Sequence, residues 1–308
     1  MMIFRHLLAL YFFHSNVGLT SAFSVRALTP TTASSVALRS LSLSSESSDS
    51  ESSGDFDMFP PGTFQRLEPV QGGGTVKTFQ MPPWTEQCQY TLTTNGRPMK
   101  CTVQLWVGPL RNVHTLNVDV QDGKKTPYTA TLKFKKLAPT LKISTSDDLE
   151  LPIQCDVFVP SPARSKELLA NTESMWNSAT IPDQKQLVQG GSTQIGGGGG
   201  SVRTWTVPDD VDAVQIISWS KDVGKKSFRT KIEMLQGPNN FKQYYKLQCG
   251  GGSQPYHGVL QTPGPGWIIR IKNDKFLEDG LFQFAVMPYK GDAPAAQMPS
   301  AASDDWWA

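Results

Sequence analysis

Histidine and cysteine are scarce in this 308-residue sequence, with four of each: His6, His14, His114 and His257, and Cys88, Cys101, Cys155 and Cys249. No cysteine belongs to a CxxC pair or has a histidine at ligand spacing, so no zinc site is expected. In a reducing compartment such thiols act as small buried apolar residues; in an oxidising one, Cys88 and Cys101 are placed to bridge a hairpin. His114 opens an alternating segment and His257 lies in a QPYHG turn. Neither stands near a nucleophile motif, and both read as solvated side chains rather than general bases. The acids cluster in SDDLE (146–150) and PDDVD (208–212), which fit no calcium-loop spacing. The glycine run IGGGGGS (195–201) lacks the GK[ST] ending and the following helix of a phosphate loop, and reads as a flexible loop. Lys and Arg (29) nearly balance Asp and Glu (27), and no basic run crosses the body. Nucleic acid is therefore not an expected partner. No catalytic residue, cofactor or metal is assigned.

What is present begins with a leader. MMIFRHLLALYFFHSNVGLTSAF has a cationic start at Arg5, an apolar run from Leu7 to Phe13 and small residues before Phe23. It reads as a cleavable signal peptide over 1–22, too short and too interrupted for a membrane span, with cleavage between Ala22 and Phe23. Residues 23–54 are rich in Ser and Thr and carry Arg26 and Arg39 before any acid, the composition of a transit peptide. The pair resembles the two-part leader of plastid proteins in algae with secondary plastids. An ordinary secreted protein with a Ser-rich linker is the alternative.

The body is duplicated. GGGTVKTFQMP (72–82) recurs as GGGSVRTWTVP (198–208), each preceded by VQGG, at 70–73 and 188–191. QLWVGP (104–109) matches EMLQGP (233–238), and CDVFVP (155–160) matches FAVMP (284–288). Within each copy apolar residues alternate with polar ones, as in Val103/Leu105/Val107 and Leu116/Val118/Val120, in about seven short runs separated by Gly, Pro, Asn and Asp. The expected fold is all-β: two tandem related antiparallel β-sandwich, jelly-roll-like units at 68–160 and 187–290, joined by a linker at 161–186. Helical periodicity is confined to SKELLANTESMWN (165–177).

Phe79 and Trp205 occupy matching positions and read as equivalent core plugs. Trp106 stands on the opposite strand face from Val103 and Leu105, and its counterpart Leu235 is apolar too. A strand apolar on both faces needs a second layer: the other copy, the linker or a neighbouring molecule. Residues 291–308 form a Pro/Ala/Ser spacer that presents Asp304, Asp305, Trp306 and Trp307. Two indoles left in water are a liability, and an aromatic motif on such a spacer is typically a ligand for a groove, on a neighbour or on its own body. The arm 55–67 likewise carries Phe56, Phe59 and Phe64. The candidate assembly residues are these four tail residues, the three arm phenylalanines, Trp106 and Leu235.

The SAF leader, the paired VQGG…G-[ST]-V-[KR]-T-[FW] openings and the aromatic tail together resemble the diatom pyrenoid shell proteins. That resemblance implies a non-enzymatic structural protein of the plastid stroma. It would assemble with itself, and with related shell isoforms, into a lattice at the periphery of the Rubisco-filled pyrenoid, supporting CO₂ concentration and fixation. Rubisco is the implied further partner. A tandem carbohydrate-binding module using Trp84, Trp219 or Trp267 as stacking platforms is the competing reading, and an enzyme with a diffuse site is the third.

Overall fold

In MKCTVQLWV, Met99, Cys101, Val103 and Leu105 are buried while the residues between them are half-buried. FKQYYKLQC repeats the pattern through Gln243, Tyr245, Leu247 and Cys249. A period of two with one buried side is a strand lying on a core. The structure, a computed structural model, describes residues 56–291 except 136, 190–201, 220–227, 239, 250–254 and 275–280. The leader with Ala22 and Phe23, the glycine run and the tail with Asp304, Asp305, Trp306 and Trp307 lie outside the described residues.

The first half of the body contributes β1 (Glu68–Val70), β2 (Val76–Gln80), β3 (Gln87–Thr93), β4 (Met99–Val107), β5 (Arg111–Val120), β6 (Tyr128–Lys133), β7 (Thr140–Thr145) and β8 (Ile153–Phe158). After α1 (Pro162–Ser178) come β9 (Lys185–Gln189), β10 (Val202–Thr206), β11 (Ala213–Ser218), β12 (Phe228–Gln236), β13 (Phe241–Cys249), β14 (Tyr256–Gln261), β15 (Trp267–Asn273) and β16 (Leu281–Pro288). Among the described residues the protein is all-β apart from this helix. Each half has eight strands where the sequence shows about seven, because β1 and β9 are the short VQ segments that open the repeats.

All pairings are antiparallel, and the strands form two eight-stranded sheets. Sheet I runs β1-β8-β3-β6-β14-β11-β16-β9, and sheet II runs β10-β15-β12-β13-β5-β4-β7-β2. Each half thus gives four strands to each sheet in the wrapped order of a jelly roll. The halves are then fused edge to edge, β6 on β14 and β5 on β13. Both orders read the same from either end once each strand is exchanged for its counterpart, so a pseudo-two-fold relates the halves. The joins place Ala130 opposite Gly258 and Asn117 opposite Lys246. Fusion removes the two inner edges that separate sandwiches would leave unpaired.

One apolar core lies between the sheets and runs through both halves. Tyr128 of sheet I packs on Tyr245 of sheet II with centroids 5.2 Å apart, and Tyr256 of sheet I stacks on His114 of sheet II at 6.3 Å. The counterparts Tyr128 and Tyr256 join their hydroxyls at 2.5 Å. The duplication extends to irregularities. The β4/β5 register shifts between Leu105 and Trp106, and the β12/β13 register between Met234 and Leu235. Gly108 and Gly237 follow these bulges with φ of +67° and +77°, in the left-handed region where a side chain is disfavoured.

Helix α1 starts where sequence chemistry demands. The Ser161 hydroxyl accepts from the Arg164 N–H at 3.2 Å, and Pro162 takes the first position. Leu168, Thr172 and Trp176, four residues apart, form its buried stripe. It lies on the outer face of sheet I, where Trp176 packs with Ile217, Trp219, Ala285 and Met287. The arm before β1 lies on the same face, with Met58, Phe59 and Phe64 against Leu168, Ala213 and Val259. Sheet I is therefore covered on both sides, and β3, β6, β11 and β14 are buried nearly throughout.

Candidate assembly surfaces

The interior supplies no reaction centre among the described residues. His114 and His257, expected to be solvated, are both buried, at 3% and 2% exposure. His114 sits inside the sandwich because it is the first buried position of β5, stacked on Tyr256. Burial pulls its pKa down to about 4, and neither ring nitrogen has a hydrogen-bond partner. His257 lies beneath α1, its Nδ1 3.0 Å from the Thr172 hydroxyl and its Nε2 3.0 Å from Gln215 Oε1, with a pKa lowered by burial to about 3. The four cysteines are buried thiols; burial pushes Cys88 and Cys155 up to about 12 and raises Cys101 as well. Thiols held protonated in this way are poor nucleophiles. No described cluster of His, Cys, Asp and Glu is arranged to hold a metal. No described helix is long and apolar enough to cross a membrane.

The aromatic candidates separate cleanly. Trp267 (2% exposed) and Trp219 (7%) are core residues, the first donating its indole N–H to Pro263 O at 3.1 Å. Trp205 is buried, and its counterpart Phe79 packs against the same core while staying partly open. Of the three proposed stacking platforms only Trp84, 48% exposed, faces solvent. The arm corrects an expectation. Phe59 and Phe64 are buried within the chain itself, and Phe56 lies under the Arg164 guanidinium at 4.4 Å. Gln89 Nε2 donates to Met58 O at 2.9 Å, and the Arg66 N–H to Asp156 Oδ2 at 2.9 Å. Closing sheet I takes precedence over presenting these rings to a neighbour.

The outer face of sheet II carries no helix or arm among the described residues. Its middle is a field of polar side chains with ion pairs such as Lys231–Asp274 at 2.9 Å, Lys246–Asp274 at 3.4 Å and Lys100–Asp119 at 3.6 Å. Burial works against the Asp274 carboxylate, but hydrogen bonds and charge from Lys231 and Lys246 outweigh it and hold its pKa below the ordinary value. Trp106 and Leu235 stand on this face, just beyond the bulges. Trp106 pairs with Asn112 and Thr140 and donates its indole N–H to Gln104 Oε1 at 3.1 Å. Leu235, a candidate for assembly, is itself buried at 6% exposure; its strand partners Phe241 and Ile268, 43% and 37% exposed, form the surface there. Pseudo-equivalent places thus carry one indole among polar residues at one end and an aliphatic-aromatic patch at the other.

These features define a class: an all-β protein of two fused jelly rolls, with broad sheet faces and no assembled reactive constellation among its described residues. A family model described as diatom pyrenoid shell protein matches residues 63–288, and the chain belongs to that family. The family is a structural one, and its compartment is the pyrenoid of the plastid. No curated protein matches. Similar solved structures include a formate complex of oxalate decarboxylase from Lactobacillus farciminis, at 8% identity over 70% of this chain and 85% of that one, TM-score 0.15. Vicilin from Solanum melongena matches at 8% over 76% and 87%, TM-score 0.13. The VP2 subviral particle of infectious bursal disease virus matches at 9% over 75% and 83%, TM-score 0.15. At such scores these likenesses carry no weight for fold or function.

Proposed function

We propose that this protein is a non-enzymatic subunit that assembles with itself, and with related shell isoforms, into a sheet or tube encasing the Rubisco-containing pyrenoid. In that place it supports CO₂ concentration and fixation. A signal peptide followed by a transit peptide would deliver it to the plastid stroma, at the pyrenoid periphery. The observation that carries the reading, given the family, is the pair of unlike ends on the open face of sheet II. Trp106 with Asn112 and Thr140 lies at one, and Phe241 and Ile268, flanking the buried Leu235, at the other. A body with pseudo-equivalent but different ends favours head-to-tail contacts, which propagate when the rotation between neighbours does not close. Asp304, Asp305, Trp306 and Trp307 provide a second link by docking on a neighbouring copy.

Negative-stain imaging of the purified chain tests this, with extended sheets or tubes expected. A monodisperse monomer retained on a glucan affinity gel overturns it in favour of the carbohydrate-binding module. That alternative has a single exposed platform in Trp84.

A further inference from the structure

The cover of sheet I has an opening beside α1. Between the N-terminal half of α1 and residues 84–87 lies a solvent-open cleft, lined by Trp84, Glu86, Gln87, Lys133, Lys166 and Leu169 among others. Its walls are unusual for this surface. Trp84 is half exposed although it is the largest side chain there. Gln87 is 3% exposed, and its side-chain oxygen is a buried acceptor without a hydrogen-bond partner. A buried acceptor left in that state is costly, and native structures seldom retain one without a reason. Lys133 and Lys166 bring two cations to the rim, against the single carboxylate of Glu86 among the lining residues. The cleft asks for a flat apolar group bearing an N–H donor, followed or preceded by negative charge.

The duplication says which segment has that chemistry. The piece of chain that trails β8 is α1, and it brings Trp176 onto the sheet I face of the next half; Trp176 lies 18 residues beyond Phe158, the last residue of β8. Trp306 lies 18 residues beyond Pro288, the last residue of β16. The segment trailing the second half thus carries a tryptophan at a similar separation in sequence, and in the proposed assembly a neighbouring copy offers it a seat. The place in the first half that corresponds to the Trp176 seat, around Thr91, Asp156 and Phe158, is already occupied by the arm. The cleft beside α1 is open on the same face. Indole is a donor only, matching the Gln87 oxygen, and Asp304 and Asp305 match Lys133 and Lys166.

We propose that the cleft between α1 and residues 84–87 receives the Asp304–Trp307 segment of a neighbouring copy, an indole entering beside Trp84 and the two carboxylates meeting Lys133 and Lys166. This rests on the assembly reading above and names the acceptor for its second link.

The test uses a fluorescent peptide of residues 291–308 titrated into the W306A/W307A chain, whose own segment cannot compete. Saturable binding is expected. K133E/K166E in the acceptor should weaken it about tenfold or more, and a D304K/D305K peptide should restore it. W84A alters an exposed side chain and serves as the independent variant; it too should weaken binding with circular dichroism unchanged. Mixing W306A/W307A chains with K133E/K166E chains should give a one-to-one complex that neither forms alone. Absence of that complex overturns docking between copies. Binding insensitive to both K133E/K166E and W84A overturns the site, and so does no binding. A chain that assembles while its cleft ignores the peptide removes this assignment and leaves the shell standing. A chain that never assembles, yet takes the peptide in the cleft, does the reverse.

Discussion

His114 and Gln243 occupy the same inward position in the two halves and are treated in opposite ways. Gln243 Nε2 donates to Gln261 O at 2.7 Å, and its Oε1 accepts from the Tyr245 hydroxyl at 2.6 Å. His114 has no partner for either nitrogen. The outer face of sheet I diverges in the same manner: the arm bonds to Gln89 and Asp156 of the first half and packs its rings on Ala213 and Val259, while Trp176 of helix α1 packs on the second half. The strand order, the bulges and the positive-φ turns have not diverged. Pairing register is the property a duplicated sandwich cannot change locally, since a one-residue slip turns every side chain to the wrong face. Covers and individual polar groups can be replaced one at a time, and there the halves differ.

The strongest probe of that contrast is the helix. Trp176 is 2% exposed, and it anchors the cluster with Ile217, Trp219, Ala285 and Met287. W176A should lower unfolding free energy by about 3–5 kcal/mol, the range for truncating a large buried aromatic. Urea denaturation at neutral pH reads the loss. A loss below about 1 kcal/mol would mean that α1 merely rests on the second half and that the two covers are not energetic counterparts.

Acid tests the inward difference. The folded pKa of His114, about 4, lies below the ordinary 6.5, so the native state resists a proton that the unfolded chain accepts. Its stability is complete above pH 6.5 and falls as pH drops from there toward 4, by about 1.4 kcal/mol per unit. At pH 5 this amounts to about 2 kcal/mol for His114, and His257, lowered to about 3, adds a loss of its own. H114L removes an imidazole with no partners to lose and should be nearly neutral at pH 7.5. Between pH 7.5 and 5.0 it should lose about 2 kcal/mol less than the native sequence. An unchanged acid loss would show that His114 is solvated after all, as its sequence context implied.

That context explains what was legible. Alternation in MKCTVQLWV and FKQYYKLQC marks strands because each has one polar face. The matching VQGG and GP motifs expose the duplication because turns and bulges demand particular residues. SKELLANTESMWN lies within α1 as its periodicity requires. Edge-to-edge fusion was not legible, since β6 and β14 read as ordinary buried strands whichever neighbour they pair with. The burial of His257 was hidden for a similar reason. Its cover is Thr172, 85 residues away in sequence, and nothing within QPYHG records it. The arm misleads because Phe56, Phe59 and Phe64 beside Pro look adhesive without showing to what they adhere. The cleft carries no sequence signal beyond Trp84, because Lys133 and Lys166 meet only in the fold.

The finest test of equivalence lies in the paired turns. Gly108 closes β4 onto β5 and Gly237 closes β12 onto β13, both with positive φ. A Cβ built on either meets no heavy atom within 4 Å, so substitution adds conformational strain and no clash. G108A and G237A should therefore each cost about 1 kcal/mol, the penalty for an L-residue held left-handed. The double variant should lose the sum, because the turns are distant and share no partner. Both losses should appear in one cooperative urea transition, since the core runs unbroken through both halves. If G237A instead splits the transition, with the second half melting ahead of the first, the β5/β13 and β6/β14 joins are weaker than their continuous pairing implies, and the halves are independent domains that happen to share edges.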